Sequence, residues 1–300
     1  GYTTHKIKET QIMSANYILF TDSGADIPPS LLSEWGVGYQ PLTFRFDHID
    51  KEFSNDEMDI REFYRLMREG HIAKTSAVAS AIFKDTFEAI LAEGKDILYL
   101  AFSSGLSATC NNGRVAAEDA VAKFPDRKII VVDSLAASAG QGLLLWLAVQ
   151  KKREGSSLEE VAQYLEDTKL HLCHWFTVDD LVYLKRGGRV SAAAALVGGM
   201  LQIKPILHVD NEGHLIKMST VRGRRNSIQA LADHYAANVL DKTAPVFICH
   251  GDCREDADRL ATLVMQAGGP QPEKIVFTGS VIGSHSGPGT LALFYFGSER

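Results

Sequence analysis

Short apolar runs alternate with amphipathic stretches along the first half of the chain. Strand-like runs cover Tyr17 to Thr21, Ile97 to Phe102 and Lys128 to Asp133, and a long helical pattern extends from about Ala136 to Arg153. The segment from Gly38 to Phe46 reads as one further apolar element. Strand, helix and strand in this order predict a parallel sheet with helices on both faces. The first half is therefore expected to be an α/β domain.

Polar residues directly follow three of these apolar runs. They are Asp22-Ser23, Ser103-Ser104 and Asp133-Ser134. Ligands of open parallel sheets bind at the carboxyl ends of the strands. We therefore expect these three strand ends to converge on one edge of the sheet.

The pattern changes after the charged, helix-forming stretch from Lys151 to Asp167, where strands separated by turn signals follow one another. The turn Asp210-Asn-Glu-Gly213 predicts a hairpin and hence an antiparallel pair. A single core rarely grows far beyond this chain length, which favours two domains. We predict an N-terminal α/β domain over residues 13–165 and a C-terminal α+β domain with a mixed or antiparallel sheet over 166–300. Residues 1–12 are interpreted as a tag or a loose extension.

The composition is that of an ordinary globular protein. Of 300 residues, 45% are hydrophobic and 23% are charged, and the net charge is −6, which argues against nucleic-acid binding through a broad basic face. No stretch reaches the roughly 18 apolar residues that span a bilayer, and the N-terminus lacks a signal-peptide core. A cytoplasmic protein without stable membrane insertion is expected.

The four cysteines are too few and too scattered for a secreted disulfide framework. Cys249, His250 and Cys253 could be read as metal ligands, but no second ligand pair at zinc-finger spacing follows them. No metal is therefore predicted.

Two hydroxyl clusters are candidates for binding an anion. Ser103 to Thr109 lies between a strand and a helix, where hydroxyls and free backbone N–H groups meet at a helix N-terminus. Plain N-capping explains the same residues. The lysine of a phosphate-binding loop is missing. The second cluster, Thr75-Ser76 with Ser80, is also explained by a turn or a helix cap.

One histidine lies in a glycine-rich segment near the C-terminus. His285 is part of Gly283-Ser-His-Ser-Gly-Pro-Gly289, which is predicted to be a loop that allows close approach of a ligand. A hydrogen-bonded structural histidine is the alternative. None of the three segments contains a lysine. Neutral donors with a single imidazole suit a small monoanion such as a carboxylate.

A run of small apolar residues extends from Val190 to Lys204. Its pattern fits a packed core helix, and it also fits one wall of a tunnel for an apolar chain, since periodicity does not separate the two. Basic residues are concentrated around this run, and they form either a solvated face or a docking surface for an acidic protein or a phosphorylated product. The basic residues are Lys185, Arg186, Arg189, Arg222, Arg224 and Arg225.

Eight short motifs in sequence resemble the DegV family of bacterial fatty-acid-binding proteins. They are Thr-Asp-Ser (21–23), Thr-Ser-x-x-x-Ser (75–80), Ser-Ser-Gly-Leu-Ser (103–107), Val-Asp-Ser (132–134), Leu-x-x-Gly-Gly-Arg-Val-Ser (184–191), Lys-Pro-Ile-Leu (204–207), Thr-Val-Arg (220–222) and His-Ser-Gly-Pro-Gly (285–289). Together they cover the chain from about Tyr17 onward.

The resemblance implies a two-domain carrier that buries a fatty acyl chain mostly in its C-terminal domain and needs no cofactor. It also implies that the carrier presents the carboxylate to a separate ATP-dependent fatty acid kinase, which makes acyl phosphate for phospholipid synthesis, and has no catalytic activity of its own. Carried over from the family, the head-group residues would be Thr75, Ser76, Ser103, Ser104 and His285. Arg189 is a further candidate for the head group or for partner docking.

Two other functions stay open from the residues alone. Ser104 and His285 with either Asp22 or Asp133 contain the residue types of a hydrolase triad for a lipid ester, although the Gly-x-Ser-x-Gly motif is missing. A regulatory module that binds another protein through its basic patch is the third possibility.

Overall fold

The computed structural model describes residues 16–195 and 202–300. Residues 1–12, which the sequence suggests are a tag or a loose extension, lie outside this range, and so do positions 196–201 of the small apolar run. No helix among the described residues is long and apolar enough to cross a membrane.

Between residues 16 and 168 the chain contains seven strands and six α-helices. The strands are β1 (Tyr17–Asp22), β2 (Gly38–Gln40), β3 (Thr43–Phe46), β4 (Phe53–Ser54), β5 (Ala73–Ser76), β6 (Asp96–Ala101) and β7 (Ile129–Asp133). The helices are α1 (Pro29–Glu34), α2 (Ile60–Arg68), α3 (Ser80–Ala92), α4 (Thr109–Lys123), α5 (Ser138–Arg153) and α6 (Leu158–Thr168).

The predicted parallel sheet is confirmed. It has four strands in the order β2-β1-β6-β7, and all its pairs are parallel. Successive residues of a strand point to opposite faces, so Leu19 and Leu98 pack in one apolar cluster with α5 and α6. Phe20 and Tyr99 pack in a second cluster with α3 and α4. Helices therefore cover both faces.

The segment from Gly38 to Phe46 is two strands, and its prediction as one element is wrong. β2 joins the parallel sheet, whereas β3 lies in a separate antiparallel sheet of order β4-β3-β5. Pro41 lies between them and has no N–H group to continue a ladder. The small sheet carries Thr75 in β5, so this residue belongs to a strand and not to a turn.

The second half is built around one mixed sheet of order β10-β9-β8-β13-β11-β12. Its strands are β8 (Leu172–Thr177), β9 (Ile203–Val209), β10 (Leu215–Arg222), β11 (Phe247–His250), β12 (Lys274–Phe277) and β13 (Leu291–Phe296). Its helices are α7 (Val182–Arg186), α8 (Arg224–Asn238), α9 (Arg254–Gln266) and α10 (Ser280–Ser286). The predicted α+β organisation is confirmed.

The hairpin predicted at Asp210 to Gly213 is confirmed as the β9–β10 turn. The Asp210 carboxylate accepts hydrogen bonds from the backbone N–H groups of Glu212 and His214, which holds the turn closed. The described part of the small apolar run is not a helix. Residues 192–195 form turns, and Ile203 already begins β9.

Helix α5 packs against both sheets. Its residue Gln141 donates to Thr21 Oγ1 at 3.0 Å and to Asp22 Oδ1 at 3.2 Å in the parallel sheet. On the other side, a Cβ atom on Gly140 would lie 2.4 Å from His174 Nε2 and 2.9 Å from the ring of Phe294. One apolar cluster thus contains residues from both halves of the chain. The domain boundary at residues 165 and 166 stays a prediction.

Because Gly140 lies in such close contact, we expect the substitution Gly140→Ala to destabilise the protein. Alanine is normally favoured over glycine inside a helix by about 1 kcal/mol, but overpacking a buried contact costs about 1–3 kcal/mol. We expect the free energy of unfolding, measured in urea, to fall. Ser33→Ala on the exposed side of α1 is the control and should change it by less than about 0.5 kcal/mol. An unchanged or higher value for Gly140→Ala would contradict the tight packing of α5.

Candidate functional site

A cavity of about 240 Å³ lies between the loops that follow β5, β6 and β7 and the six-stranded sheet. Its wall is mainly apolar. The apolar lining residues include Leu42, Ala77, Phe102, Leu106, Ala108, Ala137, Phe176, Leu184, Val209, Leu215, Val281, Ile282, Ala292 and Phe294. None of the described residues of the small apolar run, 190–195 and 202–204, lines it.

Three of the predicted site residues line this cavity: Thr75, Arg189 and His285. Thr75 Oγ1 lies 2.7 Å from His285 Nε2, a hydrogen bond across 210 positions of sequence. The prediction that His285 lies in a loop is wrong, because it occupies the last turn of α10. The helix ends at Gly287, whose φ of 86° is a conformation that glycine adopts readily. The helix, rather than a flexible loop, positions the imidazole.

The imidazole of His285 is partly buried, and only one of its nitrogens is hydrogen-bonded. Its Nδ1 atom has no hydrogen-bond partner among the described residues. A Cβ atom on Gly187 would lie 2.3 Å from this nitrogen, so the absence of a side chain there makes room for the ring. Burial, and secondarily the positive charge of Arg189, lower the pKa of His285 to about 4. The imidazole is therefore neutral at physiological pH.

The guanidinium of Arg189 is held by the backbone. Its Nε and Nη2 atoms donate to the carbonyl oxygen of Leu106 at 3.1 and 2.9 Å, and Nη1 donates to the carbonyl oxygen of Gly187. Burial lowers the pKa of Arg189. This side chain joins the turn after α7 to the serine-rich loop after β6, so three of its N–H groups are already in use.

The other predicted serines do not line the cavity. Ser103 is fully buried, donates to the carbonyl oxygen of Gly213 at 2.9 Å and accepts from the N–H of Gly105 at 3.1 Å. Ser76 and Ser104 are exposed. The residue of this loop that does line the cavity is Ser107, whose hydroxyl donates to Thr109 Oγ1 at 2.8 Å. The sequence pattern includes Ser107 in the cluster but does not show which serine faces inward.

Sequence reasoning missed a second polar group in the cavity wall. Ser138 Oγ donates to Asp26 Oδ2 at 2.6 Å and lies 3.3 Å from Cys249 Sγ, and Thr278 Oγ1 lies 3.2 Å from the same sulfur. Burial raises the pKa of Asp26 to about 7 and that of Cys249 to about 12. The thiol is thus neutral and weakly nucleophilic. These residues are distant in sequence, so no local motif marks them.

The candidate metal ligands Cys249 and His250 make hydrogen bonds within the protein. Cys249 contacts Ser138 and Thr278, and His250 Nδ1 accepts from the N–H of Cys253 at 3.0 Å. Among the described residues, the structure brings candidate ligands together at Asp47, His48 and His71 and at Asp210, Glu212 and His214. Both groups lie outside the cavity lining.

The geometry does not assemble the hydrolase triad. Thr75, and not Ser104, is the hydroxyl partner of His285. Asp22 accepts from Tyr99, Phe102 N and Gly24 N, and Asp133 accepts from Ser104 N at 3.2 Å. Since His285 Nδ1 has no partner in the described part of the chain, no carboxylate orients the imidazole as a triad requires.

Solved structures share this architecture over nearly the whole chain. A fatty-acid-binding DegV family protein from Thermus thermophilus has a TM-score of 0.84 and 30% sequence identity, with 94% of this chain and 99% of that one covered. A DegV lipid-binding protein from Thermotoga maritima has a TM-score of 0.81 and 27% identity, with 95% and 99% covered.

Sequence comparison gives the same family. A DegV domain-containing protein of Clostridium perfringens is 40% identical over 286 residues, which is 95% of this chain and 98% of the relative. One from Lactococcus lactis is 34% identical over 278 residues, with 92% and 96% covered. The model of the family described as "Uncharacterised protein, DegV family" matches residues 17–298. The resemblance seen in the eight motifs is confirmed, and the chain belongs to the DegV family.

Proposed function

We propose that the protein binds a long-chain fatty acid, with the tail in the cavity and the carboxylate beside Thr75 and His285. One observation carries this proposal: a partly buried hydroxyl–imidazole pair lies in the wall of a mainly apolar cavity. Each methylene removed from water contributes about 0.8 kcal/mol. The relatives from Thermus thermophilus and Thermotoga maritima, which bind a fatty acid and a lipid, support the same ligand class.

The polar groups of the wall suit a carboxylate. The Thr75 hydroxyl can donate to its oxygens when His285 Nε2 carries the hydrogen of their shared bond, and the Ser107 hydroxyl can do so by turning away from Thr109 Oγ1. Arg189 adds a positive charge nearby while its guanidinium stays bonded to the loop after β6. A contribution of Ser76, Ser103 and Ser104 to the head group stays a prediction.

We further propose that the protein acts as a carrier that presents the carboxylate to an ATP-dependent fatty acid kinase, which makes acyl phosphate for phospholipid synthesis. Lys185 and Arg186 support a docking surface near the cavity, because both are exposed on α7, which leads to Arg189 in the wall. Arg224 is a weaker candidate, since it is paired with Asp256 and Asp179. Arg groups suit an acidic partner surface.

Protein purified from bacteria is expected to carry fatty acid. Gentle solvent extraction followed by mass spectrometry should detect about one long acyl chain per protein, because the buried tail dissociates slowly from an apolar wall. Ala292→Phe fills the cavity beside Phe294 and should reduce the lipid content, with circular dichroism checking that the variant is folded. Folded wild-type protein without any lipid would contradict the proposal.

Removal of the head-group partners should weaken binding. Thr75→Val and His285→Gln each lose a group that faces a charged ligand, which costs about 1.5–3 kcal/mol, or about 10- to 150-fold in Kd. Displacement of a fluorescent fatty acid measures this change.

Ser76→Ala and Ser104→Ala are matched controls for the head-group variants, since each removes an exposed hydroxyl from a neighbouring position. We expect them to change Kd by no more than about twofold. If the controls weaken binding as much as Thr75→Val does, the head group lies on the other side of these loops and the assignment fails.

Charge reversal on α7 should affect the kinase step and leave fatty-acid affinity unchanged. Arg186→Glu is expected to slow acyl-phosphate formation by about tenfold in the presence of the kinase, because it places a negative charge against an acidic partner. Arg153→Glu is the control, because Arg153 is exposed at the far end of α5, about 22 Å along the helix from Ser138. Equal rates for both variants would contradict docking through α7.

A further inference from the structure

Arg189 carries the one permanent positive charge among the described lining residues of the cavity. No lysine is among its described lining residues, and its cationic or titratable side chains are Arg189, His174, His285 and the thiol of Cys249. His174 is fully buried, accepts from the N–H of Ala137 at 3.2 Å, and burial keeps its pKa well below the usual value. The guanidinium of Arg189 already donates to two carbonyl oxygens. His285 is the imidazole of the wall that is bonded to a candidate head-group hydroxyl, that of Thr75.

A carboxylate that leaves water for this cavity loses its hydration. An ion buried without a partner of opposite charge costs several kcal/mol, even after the protein relaxes around it. Hydroxyl donors from Thr75 and Ser107 reduce this cost but do not neutralise the charge. Arg189 is positively charged, but its Nε, Nη1 and Nη2 atoms already donate to backbone carbonyl oxygens. A proton taken up by the imidazole beside the ligand would add a second opposite charge at the head group.

We propose that the carboxylate is taken up together with one proton, which His285 accepts to form an imidazolium–carboxylate pair in the cavity. This inference rests on the proposed function. The step is balanced, since the ligand enters as an anion, one proton comes from the solvent, and the occupied site has the same net charge as the empty one.

The described charged groups around His285 do not offer another acceptor for this proton. Helix α10 packs against α2, α7, β3, β5 and the short turn at residues 23–25. The titratable groups on these elements are Arg61, Glu62, Tyr64, Arg65, Arg68, Tyr183, Lys185, Arg186, Arg45 and Lys74, and the carboxylates that directly flank them are Asp22, Asp26, Asp47, Asp59 and Glu69. Of the charged groups near the imidazole, Arg189 is the one that acts on its pKa, and it lowers the pKa. A bound carboxylate would act in the opposite direction.

The sign of the pH dependence follows from this change. In the empty protein the pKa of His285 is about 4, so the imidazole is neutral above about pH 5. In the complex the adjacent carboxylate raises the pKa of the imidazole. A neighbouring opposite charge shifts a pKa by about 1–3 units, so binding consumes a proton below about pH 7, and Kd should become up to about tenfold weaker for each pH unit between about pH 5 and pH 7.

Calorimetry of dodecanoate binding to the delipidated full-length protein tests this inference. The binding enthalpy is measured near pH 6 in phosphate and in Bis-Tris, whose ionisation enthalpies differ, and the difference gives the number of protons exchanged. We expect uptake of about one proton per ligand for the wild type. His285→Gln should bind more weakly and take up almost none. His48→Gln, on the exposed turn after β3, is the control and should take up as many protons as the wild type.

The outcomes separate this inference from the proposed function. Tight binding without proton uptake would overturn the inference, leave fatty-acid binding intact, and identify Arg189 as the compensating charge. Uptake that persists in His285→Gln would place the proton on the ligand and overturn the role of His285. Absence of any dodecanoate binding by the folded wild type would overturn the proposed function itself.

Discussion

The junction between the two sheets depends on polar groups that are buried at strand ends and must therefore be paired. Asp22, at the end of β1, accepts from the N–H groups of Gly24 and Phe102 and so fixes the loop after β6. Arg300 donates to the carbonyl oxygens of Leu135 and Asp210 and joins the loop after β7 to the β9–β10 hairpin. Each such group left unpaired would cost about 1–3 kcal/mol. These bonds restrict the loops that form the cavity.

The same pairing limits what a ligand can contact. Most polar groups at the strand ends are used by the protein itself, as Ser103 is by Gly213 and Gly105. The hydroxyls and the imidazole that remain in the wall lie among apolar side chains such as Leu106 and Phe294. A ligand that fits such a surface needs one small polar end and a long apolar body, because few other polar contacts are available to it.

Much of the fold is predictable from periodicity, and the exceptions have local causes. β1, β6 and β7 read as apolar runs because both faces of a parallel sheet are buried. The small antiparallel sheet was missed because Pro41 separates two strands that read as one segment. The sequence of α10 predicts a loop because glycine and serine are poor helix formers. Its seven residues are helical through tertiary packing, with Tyr64 against Gly283.

The sequence predicts which residue types form the candidate site, but it does not predict which side chains face the cavity or whether the imidazole is protonated. Ser103 and Ser107 belong to one motif, yet only Ser107 lines the cavity, because the loop turns between them. A histidine in an exposed loop would titrate near its usual pKa of about 6.5. His285 instead lies in a buried helix turn against Gly187, and this burial lowers its pKa to about 4. Sequence thus identifies the group, whereas tertiary packing decides that it is neutral until a ligand supplies an opposite charge.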